Sequence, residues 1–274
     1  MIKKYKIMKR KLLFAALAIG TSALIFTSCK KNNETDFDTE STVDQSNSES
    51  SFDQVFKQVD EAATNSSLGK LGPAITIDSL STPKKMTIDY GTGTICNDLK
   101  TRSGKIIVTY TGKYRQEGTV INVTFDNFVQ NGKQISNSST KTITNNGRNA
   151  AGFLNWTITV NASIILESGQ TISWNSTRNR TWIAGESTPK DWTDDKYEIT
   201  GTTSGVNRKG LNYTCNITSP LLVDLSCNLR RITKGVVELT PEGKKTRTID
   251  FGNGECDNEA TCTVNGKVFK IGRF

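Results

Sequence analysis

The residues best placed by type and spacing to do chemistry are Asp191, Asp194, Asp195 and Glu198, beside Trp182 and Trp192. Two carboxyl groups facing each other across a cleft suffice for glycoside hydrolysis. The same carboxylates next to exposed aromatic rings would instead hold a sugar, by apolar stacking and contacts to its hydroxyls. Oxygen ligands of this kind, or those of Asp250, Glu255, Asp257 and Glu259, could also bind Ca²⁺, although neither stretch has the spacing of an EF-hand loop. Acidic residues in a polar loop more commonly serve only to keep it solvated. The chain contains no histidine, which removes Ser-His-Asp and Cys-His nucleophile systems and every His-ligated metal site. No glycine-rich phosphate loop precedes a helix.

Tryptophan can fill a core as well as bind a ligand. Trp156, Trp174 and Trp182 fall in strand-like stretches and read as core. Trp192 lies in the polar stretch 186–196, where exposure and burial are equally open. Five cysteines follow Cys29, namely Cys96, Cys215, Cys227, Cys256 and Cys262, so at least one has no partner within the chain. A reversal at Pro220-Leu221 would set Cys215 against Cys227. The Glu242-Gly243 turn would instead bring Cys227 near Cys256. Reduced, buried thiols are a third reading. Without histidine or a Cys-x-x-Cys pair the usual zinc spacings are absent, and no cofactor is expected.

The elements that must position these groups begin after residue 28. Lys3, Lys4, Lys6, Lys9, Arg10 and Lys11 precede an apolar run from Leu12 to Phe26, too short for a comfortable membrane span. Phe26-Thr27-Ser28-Cys29 resembles a bacterial lipobox, which implies acylation of Cys29 and removal of residues 1–28. Two or more acyl chains anchor a protein stably where one does not. Removal also changes the charge. The whole chain is +8, but six of its 35 basic residues and none of its 27 acidic ones lie in 1–28, leaving 29 basic against 27 acidic. That balance gives no reason to expect a nucleic acid partner.

Residues 29–51 are polar and read as a disordered tether. Phe52, Val55, Phe56, Val59 and Ala62 form one helical stripe, with Ser51 able to cap it, so residues 52–85 read as a short helix and a linker. Asp78-Ser79-Leu80 in that linker matches a short O-glycosylation motif, which makes Ser79 a candidate modification site. From residue 86 to 274 apolar and polar residues alternate between frequent turns. Asn131-Gly132, Asn146-Gly147 and Asn265-Gly266 carry the strongest short-range hairpin signal, and Gly169, Gly210 and Gly243 mark three more turns. The expected fold is all-β: an antiparallel meander of long hairpins, on the order of a dozen strands, as a curled sheet or a sandwich. Runs such as Thr157-Ile158-Thr159-Val160 and Thr200-Gly201-Thr202-Thr203 predict one wet face.

One pattern occurs twice. Thr87-Ile88-Asp89-Tyr90-Gly91 returns as Thr248-Ile249-Asp250-Phe251-Gly252. A glycine directly after a strand aromatic predicts positive φ or a bulge, with the preceding aspartate bonding turn amides. These copies, together with 180–185, 197–202 and 254–258, make the region resemble an uncharacterised lipoprotein family of Bacteroidota. The resemblance implies an envelope location and carries no activity. The expectation is a non-catalytic lipoprotein of the outer membrane, a structural or interaction module. Its partners would be the membrane through the lipid anchor and an envelope protein or a glycan, on either the periplasmic or the outer surface. The alternatives are a glycan-binding surface lipoprotein and, more weakly, a carboxylate-based glycoside hydrolase.

Overall fold

In the computed structural model, residues 38–64, 72–96, 98–188, 191–227, 232–257 and 259–271 are described. Among the described residues a single α-helix, α1 (Glu40–Thr64), precedes fifteen strands, with a 3-10 turn (Trp192–Asp194) between the ninth and tenth. They are β1 (Ala74–Asp78), β2 (Lys84–Asp89), β3 (Thr94–Ile95), β4 (Thr101–Tyr110), β5 (Val120–Gln130), β6 (Lys133–Ile135), β7 (Thr140–Arg148) and β8 (Leu154–Ile165). After these come β9 (Thr171–Ala184), β10 (Lys196–Val206), β11 (Asn212–Asp224), β12 (Ile232–Pro241), β13 (Arg247–Asn253), β14 (Ala260–Val264) and β15 (Lys267–Ile271). All belong to one antiparallel sheet in which neighbours in sequence are neighbours in space. Two departures are local. The short β3 pairs only with β4, and β6 and β7 share the position between β5 and β8. The fold is thus the antiparallel meander expected from the turns, as a single sheet.

The sheet is curled. At ~4.8 Å per strand, the thirteen positions from β1 to β15 would extend roughly 58 Å if flat. The 25 residues of α1 reach only about 37 Å. Yet one hydrophobic cluster includes Ile88 of β2, Ile249 of β13, and Phe52, Val55, Val59 and Ala62 of α1. One face of the sheet therefore wraps around the helix and the other faces outward. Strand alternation follows. In β9, Ile172, Trp174, Ser176 and Arg178 point inward and are buried, while Asn175 and Thr177 are exposed.

The helix corrects the expected boundaries. It starts at Glu40, so residues 40–51, read as tether, are ordered and packed. The expected cap, Ser51, lies mid-helix, where its hydroxyl donates to the Asn47 carbonyl at 2.7 Å. The physical reason is a continuous buried stripe whose first half is polar: Ser41, Asp44, Gln45 and Ser48 precede Phe52, Val55 and Ala62. Each of the polar groups meets a polar partner. The Asp44 carboxylate accepts from the Arg208 amide at 2.7 Å and pairs with its guanidinium. Trp174 Nε1 donates to Gln45 at 2.9 Å, Asn207 to Ser41 at 3.0 Å, and Arg178 to Glu49 at 2.6 Å. Ser48 donates to the Asp44 carbonyl within the helix at 2.8 Å, and the sheet and the β10–β11 turn supply partners for Ser41, Asp44 and Gln45, with Gln45 Nε2 left unpaired. The linker reading also needs correction, because β1 and the start of β2 lie within 52–85. Residues 29–37, and with them Cys29, lie outside the described residues.

Turns account for two further differences. Asn131-Gly132 and Asn265-Gly266 have positive φ at both positions and close the β5–β6 and β14–β15 hairpins. Asn146-Gly147 makes no turn. It lies inside β7 at an irregularity in the pairing with β8, and the Asn145 carboxamide accepts from the Gly147 amide at 2.7 Å. The chain reverses later, in 149–153, where Asn149 Oδ1 accepts the amides of Ala151 and Phe153.

Candidate functional site

The predicted cluster around Trp182 resolves into a piece of structure. Trp182 and Asp195 are buried. Trp182 Nε1 donates to one carboxylate oxygen of Asp195 at 3.1 Å, and the Tyr197 hydroxyl donates to the other at 2.7 Å. Burial pushes the Asp195 carboxyl above the ordinary aspartate range, while these two bonds oppose the shift. With both oxygens engaged, Asp195 ties β9 to β10 and holds the inner aromatic layer of Trp156, Trp182 and Tyr197. Arg180 lies 3.6 Å over the Tyr197 ring, and Arg115 lies 4.2 Å over Trp182. Trp182 thus has no free face for a sugar.

Asp191 and Asp194 are exposed and occupied locally. Asp191 Oδ1 accepts from the hydroxyl and amide of Thr193, which holds its carboxyl below the usual value. Asp194 accepts from the Thr188 hydroxyl at 2.6 Å. Glu198 is exposed on the outer face of β10. The side chain of Trp192 lies outside the described residues. Trp156 and Trp174 are core residues. Among the described residues no three acidic or cysteine side chains cluster as a metal site would require. Ser79 is exposed at the β1–β2 turn, where Asp78 accepts the amides of Leu80 and Ser81.

Cys227 and Cys256 form a disulfide with Cα atoms 5.4 Å apart, linking the segment after β11 to the segment after β13. Cys215 is reduced and buried. The reversal imagined at Pro220-Leu221 does not exist. Strand β11 continues to Asp224 through pairing irregularities, leaving Cys215 opposite Leu239.

The paired motif adopts the same local bond in two settings. Asp89 Oδ1 accepts from the Gly91 amide at 2.8 Å, and Asp250 Oδ1 from the Gly252 amide at 2.9 Å. Both glycines have positive φ, 59° and 92°. The first copy ends β2 in a turn. The second lies inside β13, where the register with β12 shifts.

The outer face carries an arrangement that no single stretch of sequence displays. Cross-strand registers align Asn122, Thr142, Thr159, Thr177, Thr202 and Asn216 in one row from β5 to β11. A second row runs beside it through Thr140, Asn161, Asn175, Ser204 and Thr214. The first row from Thr159 to Asn216 and all of the second line a shallow recess of about 520 Å³, and none of its twelve described lining residues is ionisable. Thr142 donates to Asn122 at 2.8 Å. Across the recess, from Thr159 to Asn216 and from Thr140 to Thr214, the outward side chains have no hydrogen-bond partner among the described residues.

No protein-family model, curated protein or solved structure matches this chain.

Chemical function must therefore be judged from the two faces. Lys133, Lys141 and Arg178 on the inner face, and Arg208 and Lys209 at the β10–β11 turn, all bond to atoms of α1. On the outer face, the outward hydroxyl and amide groups lining the recess have no hydrogen-bond partner among the described residues. The signal for this array was present in the alternating Thr and Asn of β7 to β11, but its rows emerge only once the register is known.

Proposed function

We propose that this chain is a non-catalytic, lipid-anchored module of the outer membrane that works by binding through the outward face of its sheet. The lipobox-like Phe26-Thr27-Ser28-Cys29 supports the anchor. The observation that carries the binding role is the uncharged array across β7–β11, whose outward side chains lining the recess have no hydrogen-bond partner among the described residues. The carboxylates that hydrolysis would require are engaged elsewhere, Asp195 with Trp182 and Tyr197, and Asp194 with Thr188. A lipid anchor would hold such a face at the membrane in many copies, where repeated weak contacts add up.

Three variants test the reading. Cys29→Ala should move the protein from the detergent-extracted envelope to the soluble fraction or leave it as a precursor. A photo-crosslinking residue at position 177 should capture an envelope component in intact cells, whereas one at Ser168, in the β8–β9 turn, should not. A Cys29→Ala protein that is still processed at the same bond and retained would remove the anchor. Equal capture at 177 and 168 would remove the binding face.

A further inference from the structure

We infer that the outer face of β7–β11 takes an uncharged polysaccharide, laid across the strands. The inference rests on the binding role just proposed and names its ligand class. Charge comes first. Charged residues make up 23% of the chain, yet among the described residues none lines the recess, and the central row reaches charge only beyond its ends, at Glu238 opposite Asn216 and at Lys85 one strand past Thr109. Within the recess an anionic polymer would find no counter-charge, and a cationic one no carboxylate.

Chemistry comes second. A threonine hydroxyl both donates and accepts, and so does an asparagine amide. Sugar hydroxyls have the same dual character, so each side chain can complement a sugar in more than one orientation. Thr159, Thr177, Thr202 and Asn216 make no side-chain bond within the described structure that a ligand would have to break.

Spacing comes third. Neighbouring groups stand ~4.8 Å apart across the strands and ~6.8 Å apart along them. Sugar hydroxyls are distributed on this scale. The row from Asn122 to Asn216 extends about 24 Å, enough for several sugars. β-Branched threonine has few χ1 rotamers, which limits the ordering cost of binding.

What the face lacks is equally informative. Among the described residues, none of those lining the recess is aromatic or arginine, the types that anchor protein–protein interfaces. Without stacking, each sugar contributes only hydrogen bonds, so affinity should be low and should grow with chain length.

The test is affinity electrophoresis of the detergent-solubilised full chain through gels containing mannan, dextran, a mixed-linkage β-glucan or arabinoxylan, with polygalacturonate and heparin as charged counterparts. At least one neutral polymer should retard the protein at physiological salt, and the charged ones should not. Each lost hydrogen bond should weaken binding roughly 2- to 12-fold. The triple variant Thr159→Ala, Thr177→Ala, Thr202→Ala should therefore lose about tenfold or more in affinity while melting as the wild type does. Thr177→Arg should abolish retardation, and Ser168→Ala should leave it unchanged. Absence of retardation by every neutral polymer, equal retardation by the charged ones, or a triple variant that binds like wild type would overturn the inference. A protein cross-linked through position 177 with no polysaccharide retardation would overturn the ligand class and leave the binding face standing. Neither cross-link nor retardation would remove both.

Discussion

Lys141 shows how a single side chain records the cost of the inner face. It is buried, donates to the Phe52 carbonyl at 3.0 Å and approaches the Phe56 ring at 5.2 Å. Burial pushes its pKa down to about 8, against the opposing charge of Asp53. Between that value and the ordinary lysine value the folded state binds fewer protons than the unfolded chain, so stability rises with pH across this window. Lys141→Met keeps the shape and removes the charge. It should be more stable than wild type by roughly 1 kcal/mol at pH 7, with the difference shrinking as pH rises past about 8. Urea unfolding at pH 7 and pH 10 measures this. Asp98 has the opposite sign. Arg102 bonds its carboxylate at 2.7 and 2.8 Å and lowers its pKa to about 2. That stabilisation is present above the ordinary aspartate pKa and is lost as pH falls through about 2. Because Asp98 is largely exposed, Asp98→Asn should cost only about 1 kcal/mol at pH 7, and urea titrations should show the two proteins converging in acid.

At the scale of elements, α1 separates what was legible in the sequence from what was not. Its apolar half was visible because Phe52, Val55, Val59 and Ala62 recur at helical spacing. Its polar half was hidden because Ser41, Asp44, Gln45 and Ser48 have the same spacing but no hydrophobicity. Their burial depends on partners in β9 and the β10–β11 turn, more than a hundred residues away. Asp44→Ala should leave the Arg208 guanidinium and amide without their acceptor and cost roughly 2–4 kcal/mol. Thermal melting should fall by about 5–15 °C. Gly252→Val tests the paired motif, whose positive φ the sequence pattern anticipated. Backbone strain at φ 92° should cost roughly 1–3 kcal/mol, read by the same melt. Hairpin turns were legible wherever Asn-Gly closed two strands. Asn146-Gly147 misled because the same dipeptide also suits a bulge, and a bulge is decided by the partner strand.

For the molecule as a whole, alternation and turn spacing gave an antiparallel meander, and the length of the helix against the width of the sheet shows the curl. The carboxylate–tryptophan cluster looked like a site because its residues are close in sequence. In the fold, Asp195 is consumed by Trp182 and Tyr197. The array that replaces it as the candidate surface draws on five strands, so its signal was spread over some eighty residues. Charged side chains of the sheet and the β10–β11 turn hold the helix, and an uncharged recess lies on the opposite face across β7–β11. If the outer face is occupied in the envelope, the accessibility of a cysteine placed on it must fall there. With Cys96, Cys215 and Cys262 replaced, Thr177→Cys and Ser168→Cys would each be labelled with maleimide, in purified protein and in intact envelopes. Both should label rapidly when pure, and position 177 alone should become several-fold slower in the envelope. Equal labelling of the two positions in the envelope would contradict it.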